Sequence, residues 1–490
     1  MSKFLLLVIV LHMAICAAFS LSMNPITDDA GVDSSVFAYV GNGIANGLLP
    51  YRDMFDHKGP LLYLINYAGM CLNIGYQGVW VVELILFFTC VTVSVMLLRP
   101  IINVKALTLS GAPLLWLFIR LSCGGNMSET YSLYISMIAW AALLKDIYLD
   151  EVKSHTILLQ GFAAGCILCL RPNMLGFCVP TMLILIWDLF TKKNIGRFSR
   201  RVACGVCGLL IVLTPIAYWL YRNEILEDCW NCYIGFNVMY MRGLQSSIDS
   251  NIYIVVFVLA LNIILLRIAK GRTRCVLLWN LVCVISSALF IAMKLNYRHY
   301  YLPILPSLAF PLAYAFSRLL EMRKNAVALI CALFFVPLHL RAVVPNILNT
   351  VEIKSAVLQK RIPKIAIRHA RCNISPLKKL IMEEDTVLVL GNACDIYYRL
   401  GVRAKGRFFY TSVVRFSDQI KEEVQKTIAG KVNKFVVLRE NDNTQPESII
   451  TALHENYHIA AESDGLILYV SNIKCIKKEG RECPKVLKLE

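Results

Sequence analysis

Residues 33–60 of the chain read DSSVFAYVGNGIANGLLPYRDMFDHKGP, a polar segment that lies between long apolar stretches. Its charged and titratable side chains gather just before the chain turns apolar again at residue 61, and they are Asp33, Arg52, Asp53, Asp56, His57 and Lys58. Ionisable groups at a membrane boundary are costly to remove from water, so they are functional candidates by default. The position of this segment relative to a membrane therefore decides how the whole chain is interpreted.

The composition is that of a protein with many membrane spans. Of the 490 residues, 57% are hydrophobic and 17% are charged, and the mean hydropathy is +0.58. A soluble protein of this length cannot cover its surface with so few charges. The hydropathy pattern predicts about eleven spans, near residues 4–22, 77–98, 104–121, 128–146, 155–170, 174–190, 202–221, 251–268, 275–293, 300–317 and 326–344. We interpret the first as an uncleaved signal-anchor, with a cleaved signal peptide as the alternative.

The net charge of +17 is concentrated in short loops. Basic residues cluster at 192–201, 267–274 and 318–324, as expected of cytoplasmic loops under the positive-inside rule. With the N-terminus inside, the regions expected outside are 23–76, 123–127, 171–173, 222–250, 294–299 and everything after Pro345. No basic stripe interleaved with aromatic residues is present, so nucleic acid is not an expected partner, whereas membrane lipids are.

The chain is expected to divide into a transmembrane domain, residues 1–345, and a soluble domain, residues 346–490. Within the first outer loop, residues 61–74 are apolar but too short to span, which predicts a helix lying at the membrane interface. The soluble domain alternates buried-type strands with helical stretches, a pattern typical of a small α/β domain. The strands are predicted at 385–391, 434–438 and 465–470, and the helices near 416–428 and 446–455. The predicted fold class is a mainly α-helical polytopic membrane protein with a small α/β C-terminal domain outside the membrane.

The first outer loop contains a predicted helix that begins near Asp28 and Asp29 and ends before Gly47 and Pro50. Asp33 lies in its first turn, where the helix dipole favours the ionised carboxylate. A capping role alone is the alternative for this residue.

The end of the same loop offers groups that can contact a ligand. Asp53, Asp56 and His57 are possible substrate or divalent-metal contacts, although adjacent ligands alone are a weak metal signal. Lys58 stands where the chain enters the apolar helix, so it can bind a phosphate or extend towards lipid headgroups.

The motif D-x-x-x-[FY]-x-Y-x-G-x-x-x-x-x-G-x-x-P-Y-x-D-x-x-x-H-K-x-P-L, which begins at Asp33 and ends at Leu61, resembles the first outer loop of GT-C superfamily membrane glycosyltransferases. The most similar group is the bacterial relatives of dolichyl-phosphate-mannose protein mannosyltransferases and of the lipid A aminoarabinose transferase. The motif positions are Asp33, Phe37, Tyr39, Gly41, Gly47, Pro50, Tyr51, Asp53, His57, Lys58, Pro60 and Leu61. Elsewhere the resemblance is one of architecture.

The resemblance implies roles for five residues. Asp33 corresponds to the catalytic or metal-associated acid, and Lys58 to the lysine that contacts the lipid phosphate. Glu129 supplies the second acid, where some branches have Asp. Arg298 and His299 lie in an aromatic-rich segment at the start of a late span and are expected to contact phosphate or sugar.

The implied activity is transfer of a sugar from a polyprenyl-phosphate donor to a glycan, lipid or protein acceptor outside the plasma membrane, with inversion at the anomeric carbon. Lys58, with Arg298 or His299, would stabilise the departing phosphate, and Asp33 would act as the general base. Glu129 would orient the acceptor or share a divalent metal.

Two other functions remain open. A membrane transporter or lipid flippase would carry ionisable groups at mid-span, of which Glu83 and Arg120 are the only hints. A non-catalytic scaffold with a degenerate site is the other. The pairs Cys229/Cys232 and Cys475/Cys483 form disulfides only if their side of the membrane is oxidising.

Overall fold

The computed structural model describes residues 3–27, 30–243, 250–291, 297–322, 333–345, 347–348, 375–439, 445–463, 465–472 and 487–488. The predicted capping residues Asp28 and Asp29 and the pair Cys475/Cys483 lie outside these described residues. The α-helices are α1 (Lys3–Ser20), α2 (Val32–Ala45), α3 (Pro60–Met70), α4 (Gln77–Leu98), α5 (Val104–Leu121), α6 (Ser128–Tyr148), α7 (Ser154–Leu168), α8 (Val179–Lys192), α9 (Ile195–Arg222), α10 (Leu226–Cys229), α11 (Asn237–Gly243), α12 (Tyr253–Ile268), α13 (Gly271–Ile291), α14 (Leu305–Met322), α15 (Leu333–Pro345), α16 (Ser375–Leu380), α17 (Asp395–Leu400), α18 (Asp418–Ala429) and α19 (Glu447–Asn456). Helices with 3-10 geometry at Pro172–Cys178 and Arg298–Ile304 and a π-helix at Trp230–Phe236 complete the helical part that the site uses.

The protein is a multi-pass membrane protein, as predicted. Seven helical segments of the described residues are long and apolar enough to cross a membrane, and they are Lys3–Ser20, Gln77–Leu98, Val104–Leu121, Pro172–Thr191, Ile195–Arg222, Gly271–Ile291 and Arg298–Met322. Helices α7, α12 and α15 are apolar but shorter. The predicted count of about eleven spans is therefore not confirmed.

Helix α6, which was predicted as a span, is buried along most of its length among the other helices. This burial lets it carry a charged side chain in the interior: Asp146 accepts hydrogen bonds from the hydroxyl of Thr156 at 2.6 Å and from the backbone N–H of Lys153 at 2.9 Å. A buried carboxylate needs hydrogen-bond donors from the protein, because water does not reach it. These two bonds therefore hold α6 against the start of α7.

The helices α2 and α3 pack closely at a glycine. A Cβ on Gly41 would lie 2.6 Å from the Cβ of Asn66, a distance that no side chain tolerates. Helix α3 begins at Pro60, which has no N–H to leave unpaired at a helix start. It ends at Met70, four residues before the predicted end at residue 74.

A buried polar network fixes the loop between α5 and α6 to these helices. Both carboxylate oxygens of Glu83 accept the backbone N–H of Asn126, at 2.7 and 2.8 Å. The side-chain amides of Asn126 and Asn66 bond to each other, and Asn126 also donates to the hydroxyl of Ser34 at 2.9 Å. Glu83 was one of the two residues that hinted at a transporter. In the structure its carboxylate binds the backbone of the loop at Asn126.

The C-terminal residues form the predicted small sheet, flanked by helices. Its strands are β1 (Val387–Leu390), β2 (Phe435–Arg439), β3 (Tyr457–Ser463), β4 (Leu466–Ser471) and β5 (Leu487–Lys488), in the spatial order β1-β2-β4-β3-β5. The pairs β1–β2 and β3–β5 are parallel, and β4 is antiparallel to both of its neighbours. The three predicted strands correspond to β1, β2 and β4, and the two predicted helices to α18 and α19. Strand β3 was not predicted, because its sequence YHIAAES lacks a continuous apolar run.

Candidate active site

A cavity of about 230 Å³ lies between the start of α2, the loop before α3, the 3-10 helix Arg298–Ile304 and the C-terminal domain. Its charged or titratable lining residues are Asp33, Asp56, His57, Lys58, His299 and Arg415. The first five of these were predicted as site residues, although they come from three separate stretches of the chain. Aromatic rings line much of the remaining wall, at Phe37, Tyr240, Tyr297, Tyr300, Tyr410 and Phe416.

Asp33 faces the cavity from the first turn of α2. Its side chain faces the space of a partly open cavity, and protein surrounds the carboxylate on its other sides. Burial raises the pKa of Asp33 above its usual value, and the nearby charge of Lys58 acts in the opposite direction. We had expected the helix dipole to favour the ionised form, and the net effect of the surroundings is the reverse.

His57 and Lys58 form a hydrogen-bonded pair on the loop that leads into α3. The ammonium of Lys58 donates to Nε2 of His57 at 3.3 Å, and the imidazole packs against the rings of Phe236 and Tyr240 at 5.2 and 5.4 Å. Burial, followed by the charge of Lys58, holds the pKa of His57 well below its usual value, so this imidazole is neutral. Within the described residues, the half-buried ammonium of Lys58 forms no salt bridge and faces the cavity.

Asp56 is buried, and both of its carboxylate oxygens are occupied. Tyr63 donates its hydroxyl to Oδ2 and Tyr410 donates its hydroxyl to Oδ1, each at 2.7 Å. Nδ1 of His57 lies 3.5 Å from Oδ1. Asp56 therefore joins the loop, α3 and the C-terminal domain at one wall of the cavity.

The structure places two predicted contacts away from the cavity lining. Asp53 accepts the backbone N–H of Leu49 at 2.7 Å and so closes the turn at the start of the loop. Arg298 is exposed, and its Nε donates to the sulfur of Cys123 at 3.1 Å.

Glu129 lies behind the cavity wall, 1% exposed. Its Oε1 forms an ion pair with Arg171 and lies 3.4 Å from Nε2 of His299, while its Oε2 accepts the hydroxyl of Ser128 at 2.7 Å. The guanidinium of Arg171 also lies 4.2 Å from the centre of the Tyr300 ring. Because all of its acceptors are engaged, Glu129 is arranged to hold Arg171 and His299 in place.

Arg171 had no predicted role. The topology prediction contained one indication of a role for Arg171. The turn at 171–173 was expected on the same side of the membrane as Glu129 and His299, and an acid that is buried there needs a cation as its partner. The sequence held no such signal for the C-terminal contribution to the cavity. Tyr410 and Arg415 lie between α17 and α18, Arg415 in the short 3-10 helix Val414–Phe416, and only the fold determines the position of this segment.

The C-terminal domain is attached to the loop before α3 by hydrogen bonds. The N–H of Phe55 donates to the carbonyl of Arg407 at 2.8 Å, and Nε of Arg407 donates to the carbonyl of Tyr51 at 3.0 Å. Arg407 also donates to the sulfur of Cys232 at 3.2 Å. Cys232 and Cys229, which we had considered as a disulfide pair, are both buried free thiols in the structure.

The side chains that line the cavity do not converge as a set of metal ligands. Among the described residues, the carboxylates and imidazoles of the cavity do not form a group of three side chains with converging ligand atoms. Asp56 and His57, which were considered as possible substrate or metal contacts, already serve the tyrosine and lysine contacts described above.

The fold is similar to that of solved membrane-protein structures. The whole chain matches two solved structures of ArnT from Cupriavidus metallidurans, one bound to undecaprenyl phosphate and one in the apo state. The first covers 97% of this chain and 99% of that chain at 14% identity, with a TM-score of 0.62. The second covers 94% and 97% at 14% identity, with a TM-score of 0.61. The predicted resemblance to the fold of the lipid A aminoarabinose transferase is thus confirmed.

The chain belongs to the family described as the putative competence-induced protein Ccs4 N-terminal domain, whose model matches residues 1–327. No curated protein matches the sequence.

Proposed function

We propose that the protein is a membrane glycosyltransferase that takes a sugar from a polyprenyl-phosphate donor and passes it to an acceptor hydroxyl. The observation that carries the proposal is that a carboxylate, Asp33, and an ammonium, Lys58, line the same cavity. A similar fold crystallised with undecaprenyl phosphate supports the donor class.

The leaving group is the lipid phosphate, whose charge must be stabilised as the bond to the sugar breaks. Lys58 suits this role because, among the described residues, its charge is not neutralised by a salt bridge, and His57 holds its position from one side. In a site partly shielded from water, such a preorganised charge is worth more than in solution. The neutral imidazole of His57 leaves the full positive charge of Lys58 for the phosphate.

Asp33 is proposed as the general base. Its carboxylate takes the proton of the acceptor hydroxyl while that oxygen attacks the anomeric carbon, and the bond to the phosphate oxygen breaks on the opposite face. The configuration at the anomeric carbon is inverted, and the polyprenyl phosphate leaves beside Lys58. The raised pKa of Asp33 strengthens it as a base at neutral pH.

The surrounding residues are proposed to orient the substrates. Glu129 acts as a positioning residue through Arg171 and His299, and the aromatic wall, with Arg415 from the C-terminal domain, receives the acceptor. Residues 1–345 would form the transmembrane catalytic domain in the plasma membrane. The cavity and residues 346–490 would then face outward, where cell-envelope glycans, lipids and proteins are available as acceptors.

The test separates binding from chemistry. Purified protein is assayed for binding of undecaprenyl phosphate, and cells with and without the gene are compared for lipid-linked and surface glycans. Asp33→Asn should retain binding and lose about 10²–10⁴-fold of the transfer rate. Lys58→Ala should weaken binding as well. Arg52→Ala is the matched control, because Arg52 is in the same loop but is exposed and paired with Asp228.

Full transfer activity in Asp33→Asn would remove the base assignment. Unchanged glycans together with altered lipid or solute transport would refute the glycosyltransferase proposal and favour a transporter or flippase.

A further inference from the structure

Three side chains with metal-binding atoms meet between α1 and α15, and none of the three lines the cavity. Nε2 of His12 lies 3.2 Å from Nδ1 of His339, a contact between residues 327 positions apart. Sγ of Cys16 lies 3.7 Å from the same Nε2 of His12. One ligand atom from each of the three residues lies within 4.8 Å of the others.

The two shorter distances match those of a tetrahedral zinc site. Zinc bonds are about 2.0–2.1 Å to nitrogen and about 2.3 Å to sulfur. At tetrahedral angles, two nitrogens are then roughly 3.3 Å apart, and a nitrogen and a sulfur roughly 3.6 Å apart. The observed 3.2 Å and 3.7 Å lie within the usual tolerance of about 0.2 Å.

The second nitrogen of His339 supplies an independent observation. Nε2 lies 3.0 Å from the carbonyl oxygen of Ala112 in α5, a contact that requires the proton on Nε2. Nδ1 is thereby left as a lone pair directed at His12. A histidine that ligates a metal usually donates its other N–H to a backbone carbonyl or carboxylate in this way, which fixes its tautomer and ring orientation.

Burying polar, titratable side chains in apolar helices costs free energy, and a metal ion bound by all three would offset that cost. Helix α1 is apolar and membrane-crossing by length, and Cys16 and His339 are 2% and 1% exposed. His12 and Cys16 are four residues apart on one helical face, so both point at α15. Polar titratable side chains inside membrane segments generally mark a functional or binding role.

The geometry points to a Zn²⁺ site formed by His12, Cys16 and His339, distinct from the proposed active site. Two neutral imidazoles and one thiolate are the nitrogen and sulfur donors that zinc prefers over hard cations such as Mg²⁺. Binding releases the thiol proton of Cys16 to solvent and leaves a fourth position for a water molecule. The ion connects α1 to α15, and so restricts their separation in the way that a cross-link does.

The test uses the full chain, purified in detergent and stripped of metal, with Co²⁺ as a spectroscopic probe and Zn²⁺ as its competitor. One equivalent of Co²⁺ should bind and give both the visible bands of a tetrahedral site and a thiolate charge-transfer band, and Zn²⁺ should displace it. Zn²⁺ should also raise the Tm, because it binds only the folded state.

The variants assign the site. Cys16→Ser should abolish the charge-transfer band, and His12→Ala or His339→Ala should remove the bound equivalent. His155→Ala and Cys71→Ser are matched controls, since both residues are exposed and outside the cluster.

Absence of Co²⁺ binding, or a bound equivalent that survives in all three cluster variants, would overturn the proposal and leave a hydrogen-bonded histidine pair. A site at the cavity would keep its metal in these variants. The readout is metal content and Tm, so it does not depend on glycosyl transfer.

Discussion

The change Tyr410→Phe removes one of the two hydroxyls that satisfy the buried carboxylate of Asp56, without altering the size of the aromatic ring. The bond is 2.7 Å long and joins the C-terminal domain to the loop before α3 across 354 positions of the chain. Tyr63→Phe removes the other hydroxyl, also at 2.7 Å.

A hydrogen bond to a charged acceptor contributes about 1.5–3 kcal/mol to stability, so we take about 2 kcal/mol for each tyrosine. Unfolding entropy near about 2.1 cal/mol/K per residue corresponds to about 1 kcal/mol/K for the 490-residue chain. Each single variant should therefore lower the Tm by about 2 °C if the chain unfolds in one transition. The double variant should fall by more than about 4 °C, because Asp56 then has no hydroxyl donor and remains buried.

The measurement is thermal unfolding of the purified protein in detergent, followed by tryptophan fluorescence. Tyr221→Phe is the matched control, because Tyr221 is 70% exposed and loses the same oxygen atom. If Tyr410→Phe melts with the control, or the double variant is as stable as either single variant, the reasoning is refuted.

Three further outcomes are expected. Burial raises the pKa of Asp33 in the folded protein above its value in the unfolded chain, so the ionised carboxylate destabilises the folded protein at neutral pH. Asp33→Asn should therefore raise the Tm at neutral pH. The gain in Tm should vanish as the pH falls towards the unfolded pKa of about 3.9. Glu129→Gln leaves Arg171 unpaired and should cost about 3–5 kcal/mol, seen as a lower Tm. Gly59→Ala places a methyl group against the backbone of Cys169 and should lower transfer by displacing the loop, whereas Gly235→Ala, which has space, should not.

The sequence predicted the helical membrane part, the α/β C-terminal domain and the shared position of Asp33 and Lys58, because each depends on local patterning or on a motif within one loop. Residue roles that depend on tertiary partners were less accessible. Asp53 was predicted as a possible substrate or metal contact, but its carboxylate accepts the backbone N–H of Leu49, four residues earlier in the chain. Glu129 looked like a second reacting acid, and its acceptors are used by Arg171, His299 and Ser128.

The predicted span count is not confirmed, and α6 shows what hydropathy leaves out. Hydropathy measures how apolar a segment is, and it does not register that a helix such as α6 is surrounded by other helices. Within those surroundings, Thr156 and Lys153 donate hydrogen bonds to Oδ2 of Asp146, and no window average contains that information.

The contact between Tyr410 and Asp56 has a consequence for biosynthesis. A ribosome that has made the loop before α3 must still add 354 residues before Tyr410, on the opposite wall of the cavity, exists. The helices made in between can therefore be inserted in the membrane while the cavity is still incomplete. The cavity is complete only when the last quarter of the chain has folded onto this loop, so synthesis of the C-terminal domain sets the time at which the cavity forms.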